Sequence, residues 1–130
     1  MDKICLDTDF LIDFLRGKED ALFFVSRMED RAVLATTYVN LYELYVGAYK
    51  SENSPRELTN SEALKNRLQL LNLSEASVKL AGQIRAELMK KGSIVEIRDL
   101  FIGTIALVNG FAVKTNNVKH FAKIPNLNLM

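Results

Sequence analysis

The sequence predicts a single three-layer α/β domain in which a mainly parallel sheet of four to five strands is flanked by helices. Short apolar segments alternate with helix-length segments along the whole chain, a pattern typical of parallel strands joined by helical crossovers. The 130 residues are 48% hydrophobic, which is enough for one core and one domain over residues 1–130. The polar segment at 51–55 has helical sequence on both sides, so we expect a loop there and not a domain boundary.

Strands are predicted where short apolar runs are bounded by polar or turn residues. In chain order they lie at residues 3–7, 32–36, 68–73 and 111–115, with a possible short last strand at 127–130. Helical segments separate the first four, and this favours parallel neighbours in the sheet.

Helices are predicted where apolar residues recur at helical spacing. They lie at residues 10–16, 20–28, 39–50, 56–67, 75–91 and 99–109, with one helical turn at 118–122. Thr37 and Ser74 stand where an N-cap is needed, and Thr8 or Asp9 can cap the first helix. Gly110 ends the last long helix.

Composition excludes several classes of function. The formal net charge of +1 gives no bulk attraction to nucleic acid or acidic membranes, so any polyanion has to be held locally. One cysteine and one histidine allow neither an internal disulfide nor a zinc site built from nitrogen and sulfur ligands. The N-terminus does not resemble a signal peptide, and the uncharged run at 100–113 is shorter than the ~20 residues of a membrane-spanning helix. We therefore expect a cytoplasmic protein.

Four carboxylates lie beside uncharged, mostly apolar segments. Asp7 and Asp9 follow the apolar opening, Glu43 is the only charged residue in 38–49, and Asp99 precedes the uncharged run. A partly buried charge is costly unless a cation pairs with it, and no Lys or Arg accompanies these acids at helical spacing. Hard oxygen ligands suit Mg²⁺ or Mn²⁺, so a bound divalent ion is the predicted partner.

Carboxylates that converge at one edge of a sheet can support hydrolysis of a phosphodiester. In parallel α/β folds, ligands bind outside the carboxyl ends of the strands, and several acids there can hold one or two ions that activate water. The sequence shows no nucleophile triad and no glycine-rich phosphate loop, which favours this metal-dependent chemistry.

Four segments occur in an order typical of one known family. They read ICLDTDFLI at 4–12, YELYVGA at 42–48, DLFIGTIA at 99–106 and TNNVKHF at 115–121. Together they resemble the PIN-domain nucleases, specifically the VapC-type toxins of prokaryotic toxin–antitoxin pairs. The resemblance covers essentially the whole chain and implies a PIN-like fold.

The resemblance also implies roles for particular residues. It assigns Asp7, Glu43 and Asp99 as metal-binding carboxylates, and it places Asn117 where many members have a fourth acid. Asp9 in the strand-exit turn either adds a carboxylate oxygen or caps the helix. Relatives frequently carry a further acid where this chain has Ile97, so one or two bound ions are both open.

The function that the resemblance implies is a Mg²⁺- or Mn²⁺-dependent endoribonuclease that acts as a toxin. It implies a homodimer and a small antitoxin that inserts a basic residue into the acidic pocket. Two alternatives stay open: a PIN-like module that binds RNA or protein after losing catalysis, and a phosphatase suggested by the DxD pattern of Asp7 to Asp9. The second lacks the later motifs that such phosphatases need.

Aromatic and basic residues around Glu43 have two interpretations. A stripe of tyrosines is either a stacking platform for bases or, as we expect, core or interface packing; its members are Tyr38, Tyr42, Tyr45 and Tyr49. Several cations are either solvated charges or contacts for an RNA backbone; they are Lys50, Arg56, Lys65 and Arg67. His120 is interpreted as a structural or surface residue and not as a catalytic base.

Overall fold

Four parallel strands form the central sheet of the computed structural model, which describes residues 1–130. The strands are β1 (Asp2–Leu6), β2 (Ala32–Thr37), β3 (Gln69–Leu71) and β4 (Ala112–Lys114). Their order is β3-β2-β1-β4, and every neighbouring pair is parallel. The chain therefore builds outward in opposite directions from β1, so the switch point of the sheet lies at the carboxyl end of the first strand.

Seven helices connect and cover the strands. They are α1 (Thr8–Leu15), α2 (Glu19–Met28), α3 (Tyr38–Lys50), α4 (Ser54–Lys65), α5 (Glu75–Lys90), α6 (Ile97–Val108) and α7 (Val118–Phe121). Every predicted helix is present, and the predicted fold class is confirmed. None of the seven helices combines the length and the hydropathy that a membrane span requires.

The possible last strand at 127–130 is a wrong prediction. Leu129 forms a single parallel bridge with Val113, and the Met130 amide donates to the Val113 carbonyl at 2.9 Å. The segment therefore lies alongside β4 but forms only an isolated bridge and no ladder.

Two of the predicted N-caps are confirmed and one is wrong. The hydroxyls of Thr37 and Ser74 accept from the amides three residues ahead, each at 3.1 Å, and both positions form capping boxes. Helix α1 starts earlier than predicted, so Asp7 is its N-cap residue and neither Thr8 nor Asp9 caps it. The side chain of Asp7 makes no capping hydrogen bond because it is engaged elsewhere.

Side chains that alternate along β1 supply the two faces of the sheet with separate cores. Ile4 and Leu6 pack in one cluster with residues of α1, α2, α3 and α4. Cys5 points to the other face, where it joins a cluster contributed by α5, α6 and α7. This period of two is the geometry of a strand covered on both sides. Burial raises the pKa of the Cys5 thiol to about 12, which agrees with its predicted role as a small buried hydrophobe.

Gly103 lies in α6, where the core formed with α5, α6 and α7 leaves no room for a side chain. A Cβ built there would lie 2.3 Å from Cδ1 of Ile124 and 3.3 Å from Cδ2 of Leu127. Both neighbours belong to the segment after α7, so the missing side chain lets that segment close over the helix.

We expect Gly103→Ala to lower the free energy of unfolding by about 1 kcal/mol, because overpacking of about 1–3 kcal/mol exceeds the gain in helix propensity. Gly82→Ala is the matched control, since Gly82 is exposed on α5 with no atom near its Cβ position. The control should gain about 1 kcal/mol from propensity alone. Urea denaturation measures both; equal stabilisation of the two variants would show that Ile124 moves aside freely.

Candidate active site

Asp7 is a nearly buried carboxylate at the switch point of the sheet. It follows β1 directly, and the residue is only 6% exposed. Its Oδ1 accepts from Nδ2 of Asn40 at 3.1 Å, and its Oδ2 accepts from the hydroxyl of Thr115 at 2.8 Å. Asn40 lies at the start of α3 after β2, while Thr115 follows β4. The segments that leave the two strands flanking β1 thus each contribute one donor to this carboxylate.

Asn40 organises this edge, and sequence reasoning missed it. Its side chain is fully buried, and its Oδ1 accepts from both the amide and the hydroxyl of Thr37, at 3.2 and 2.7 Å. Its Nδ2 donates to Asp7 and also to the hydroxyl of Thr8, at 2.9 Å. The available signal was an amide side chain three residues after the capping Thr37, in an apolar helix start.

Glu43 is joined to this network from the next turn of α3. Its Oε1 accepts from the hydroxyl of Thr8 at 2.7 Å, and its Oε2 forms an ion pair with Nη1 of Arg98 at 2.8 Å. The sequence excluded a basic partner only at helical spacing along the same segment, and the partner of Glu43 comes from a different helix. Arg98 comes from α6, so spacing within α3 could not reveal it.

Asp99 lies in the first turn of α6, and its residue is partly buried. Burial raises its pKa, and the negative charges of Glu96, Asp7 and Glu43 raise it further, while His120 lowers it. Nδ1 of His120 is 3.3 Å from Oδ2 of Asp99. The helix therefore starts near the same edge of the sheet, as Asp99 needs in order to act with the other acids.

Asp9 lies in the first turn of α1 and contacts the segment that follows β4. Its Oδ2 accepts from the Asn116 amide at 3.1 Å and from Nδ2 of Asn117 at 2.8 Å. Its Oδ1 is buried without a hydrogen-bond partner. Burial and then the charge of Asp7 raise the pKa of Asp9 to about 6. Asn117 occupies the N-cap position of α7, but its side chain makes no capping hydrogen bond.

The donor set fits a hard divalent cation in chemistry, although the side chains do not form a closed cage. No three His, Cys, Asp or Glu side chains are arranged as a ready-made metal site. Yet one buried carboxylate oxygen of Asp9 lacks a partner, and burial, followed by the charges of neighbouring acids, raises the pKa values of Asp9 and Asp99. A cation would relieve that repulsion.

A cleft of about 1010 Å³ opens beside Glu43, between α1, α3 and α4. Its acidic wall carries Glu43, and basic side chains are distributed along it; these are Arg16, Lys50, Arg56 and Arg98. Cations beside an acidic site are suited to the phosphates of an extended polyanion.

The tyrosine stripe lies on the surface and not in the core. Tyr38, Tyr42 and Tyr49 are 48%, 61% and 69% exposed, so core packing is a wrong prediction for them. Their spacing places them along one face of α3. Packing against another molecule stays a prediction.

Together these features define an α/β domain with an acidic site at the carboxyl edge of a parallel sheet, suited to metal-dependent hydrolysis of phosphodiesters. The chain belongs to the PIN domain family, whose model matches residues 4–127. The family resemblance stated from the four sequence segments is confirmed.

Two VapC ribonucleases are similar in sequence to nearly the full length of this chain. The tRNA(fMet)-specific endonuclease VapC of Salmonella typhimurium is 32% identical over 127 residues, covering 98% of this chain and 96% of the relative. Ribonuclease VapC2 of Rickettsia felis is 28% identical over 123 residues, covering 94% and 92%.

Solved structures show the same fold. VapBC from Salmonella typhimurium, bound to DNA, matches with a TM-score of 0.89 and 33% identity over 100% of this chain and 98% of that chain. VapBC2 from Rickettsia felis, bound to a promoter DNA fragment, matches with a TM-score of 0.91 and 26% identity, covering 98% and 97%.

We expect Asn40→Ala to lower the free energy of unfolding by about 2–4 kcal/mol, because it removes buried hydrogen bonds and leaves Asp7 with one donor fewer. Asn60→Ala is the control, since Asn60 is exposed on α4. Chemical denaturation followed by circular dichroism measures both variants. An Asn40→Ala protein as stable as the control would contradict the organising role of this side chain.

Proposed function

We propose that this protein is a Mg²⁺- or Mn²⁺-dependent endoribonuclease and the toxin of a VapBC-type toxin–antitoxin pair. Its membership of the PIN domain family and its full-length similarity to VapC ribonucleases support this function. The observation that supports the proposal most directly is a hydrogen-bond network at the carboxyl edge of the sheet, in which Asn40 donates to both Asp7 and Thr8 and Thr8 donates to Glu43. Acids that repel one another in a partly buried site are suited to a divalent cation.

Asp7, Glu43 and Asp99 are the residues that would hold the ion, with the oxygens of Asp9 and Asn117 as further candidates. When bound, the ion supplies positive charge that neutralises a phosphodiester and acidifies a water molecule for attack on phosphorus. The partnerless Oδ1 of Asp9 supports its place in this set. Asn117 reaches the site through Asp9, to which its amide nitrogen donates, so its uncharged oxygen is the weaker candidate.

The chain itself supplies rigidity and substrate contacts. Asp7 is fixed by Asn40 and Thr115 before any ligand binds, so no side-chain ordering is needed at that carboxylate. Lys50 and Arg56 line the cleft that leads away from Glu43, where they can contact phosphates on either side of the cleaved bond. An RNA strand that follows this cleft would bring one phosphodiester to the acidic edge.

Membership of the PIN domain family favours a nuclease over the phosphatase alternative. The DxD pattern of Asp7 to Asp9 is the only feature that suggested a phosphatase, and the later motifs that such an enzyme needs are missing from the sequence. Experiment has to distinguish the nuclease from a catalytically inactive binding module.

An antitoxin is the proposed protein partner. The similar VapBC structures of Rickettsia felis and Salmonella typhimurium support such a partner for this chain. We infer that a basic side chain of the antitoxin enters the acidic edge and pairs with its carboxylates, blocking both the cation and the substrate phosphate. We propose that the protein acts in the cytoplasm, where an RNA substrate is present.

A homodimer is proposed from the exposed face of α3. Tyr38 and Tyr49 are each more than two-fifths exposed on this helix and lie outside the cleft, and aromatic residues are enriched at the centres of interfaces. Pairing of two such faces would cover the apolar rings and place two acidic sites in one assembly.

Metal-dependent cleavage of RNA tests the proposed activity, and Asp99→Asn tests the site. Asp99 pairs with His120 but takes no part in the hydrogen bonds that hold Asp7, so the variant should fold normally. We expect cleavage of single-stranded RNA by the wild type with Mg²⁺ and none with EDTA. The variant should be at least about 100-fold slower, because a ligand and its charge are lost.

Asp30→Asn is the matched control for that assay, since Asp30 is exposed in the turn after α2, and it should cleave like the wild type. RNA that is bound but never cut under any metal condition would favour the inactive binding module. Undiminished turnover by Asp99→Asn would contradict the assignment of the site.

We expect Tyr49→Lys to shift the protein from dimer to monomer, because a charge at an apolar seam is left without a partner on association. Sedimentation velocity at micromolar concentration measures the change. Phe23→Lys is the control, since Phe23 is equally exposed but lies on α2. A wild-type protein that sediments as a monomer would rule out this interface.

A further inference from the structure

Arg98 forms an ion pair with Glu43, a residue of the proposed metal site, and it is adjacent in sequence to Asp99, which belongs to the same site. It precedes Asp99 in the first turn of α6, and its Nη1 lies 2.8 Å from Oε2 of Glu43. It also forms an ion pair with Glu96. The side chain of Arg98 is 51% exposed, whereas that of Glu43 is 21% exposed, so the guanidinium reaches inward from solvent to a mostly covered carboxylate.

The contacts of Glu43 leave neither oxygen without a partner. Thr8 donates to Oε1 at 2.7 Å, and Arg98 donates to Oε2 at 2.8 Å. A carboxylate that binds a metal directs an oxygen lone pair at the ion. A guanidinium at the same oxygen would place two positive groups side by side, and their repulsion opposes joint occupancy.

We propose that Arg98 is a competitor built into the chain, which pairs with Glu43 in the metal-free protein and leaves it when a divalent ion binds. The inference rests on the proposed function, because it concerns the same carboxylate. Arg98 thereby sets the affinity of the site for the ion below what the carboxylates alone would give. A site of this kind is filled only when the ion is abundant enough to displace the arginine.

Glu96 gives the displaced guanidinium an alternative partner. Arg98 already pairs with Glu96 two residues before it, so it keeps one ion pair after releasing Glu43. When an ion displaces Arg98, the arginine therefore loses only its contact with Glu43. Arg16, Lys50 and Arg56 line the same cleft, but none of them pairs with Glu43, so this competition is specific to Arg98.

Calorimetric titration with Mn²⁺ tests the proposal without any measure of cleavage. We expect Arg98→Gln to bind Mn²⁺ about 2- to 5-fold more tightly than the wild type, the range set by the worth of a partly exposed ion pair. Arg85→Gln is the control for lost charge, because Arg85 is exposed on α5, which packs on the other face of the sheet. It should bind Mn²⁺ like the wild type. Melting curves without metal establish that all three proteins are folded.

The other outcomes each overturn the proposal in a distinguishable way. Equal affinity of Arg98→Gln and the wild type would show that the arginine does not compete, and the metal site would stand. Weaker binding by Arg98→Gln would show that Arg98 supports the site. An absence of Mn²⁺ binding in all three proteins would contradict the proposed metal-dependent function and this inference together.

Discussion

The burial of one carboxylate at the end of the central strand is the constraint on which the site depends. A charge with 6% of its residue exposed is tolerated only when hydrogen bonds replace the water it has lost. For Asp7 those bonds come from Asn40 and Thr115, which are 33 and 108 residues away in sequence. The segments that follow β2 and β4 must both be in place before this carboxylate is satisfied, so correct folding of the sheet and assembly of the site are the same event.

Each donor to Asp7 is itself held by a local motif. Asn40 is oriented by the capping box that starts α3, and the hydroxyl of Thr115 accepts from the Asn117 amide at 2.9 Å while it donates to Asp7. Because every donor is fixed by a second contact, the orientation of the carboxylate is set by the backbone of two strand exits. This is the preorganisation that a hydrolytic site needs, since little reordering is left for the moment of reaction.

The other acids of this edge have fewer contacts with the fold around Asp7 than Asp7 itself has. Glu43 is connected to Asp7 only through Thr8 and Asn40, and it faces a cation on its other side. Asp99 and Asp9 have pKa values raised first by burial and then by neighbouring acids. A fixed carboxylate beside acids that still need compensation is the arrangement on which the proposed binding of a divalent ion or a basic side chain rests.

The sequence by itself determined the elements and the identity of the main acids. Strand and helix positions follow from local periodicity, and the caps at Thr37 and Ser74 follow from contacts three residues apart, so both can be predicted without knowing the fold. The presence of Asp7, Glu43 and Asp99 beside uncharged segments was visible for the same reason. The four sequence segments were enough to place the chain in the PIN domain family.

Only the tertiary structure decided which side chains meet. The pairing of Arg98 with Glu43 joins residues 55 apart in sequence, and that of Asn117 with Asp9 joins residues 108 apart. No periodicity encodes such contacts, because they depend on how α6 and α7 pack against the sheet. The sequence also could not decide between core and interface packing for the tyrosines on α3, because helical spacing shows that residues share a face but only packing determines whether that face is covered.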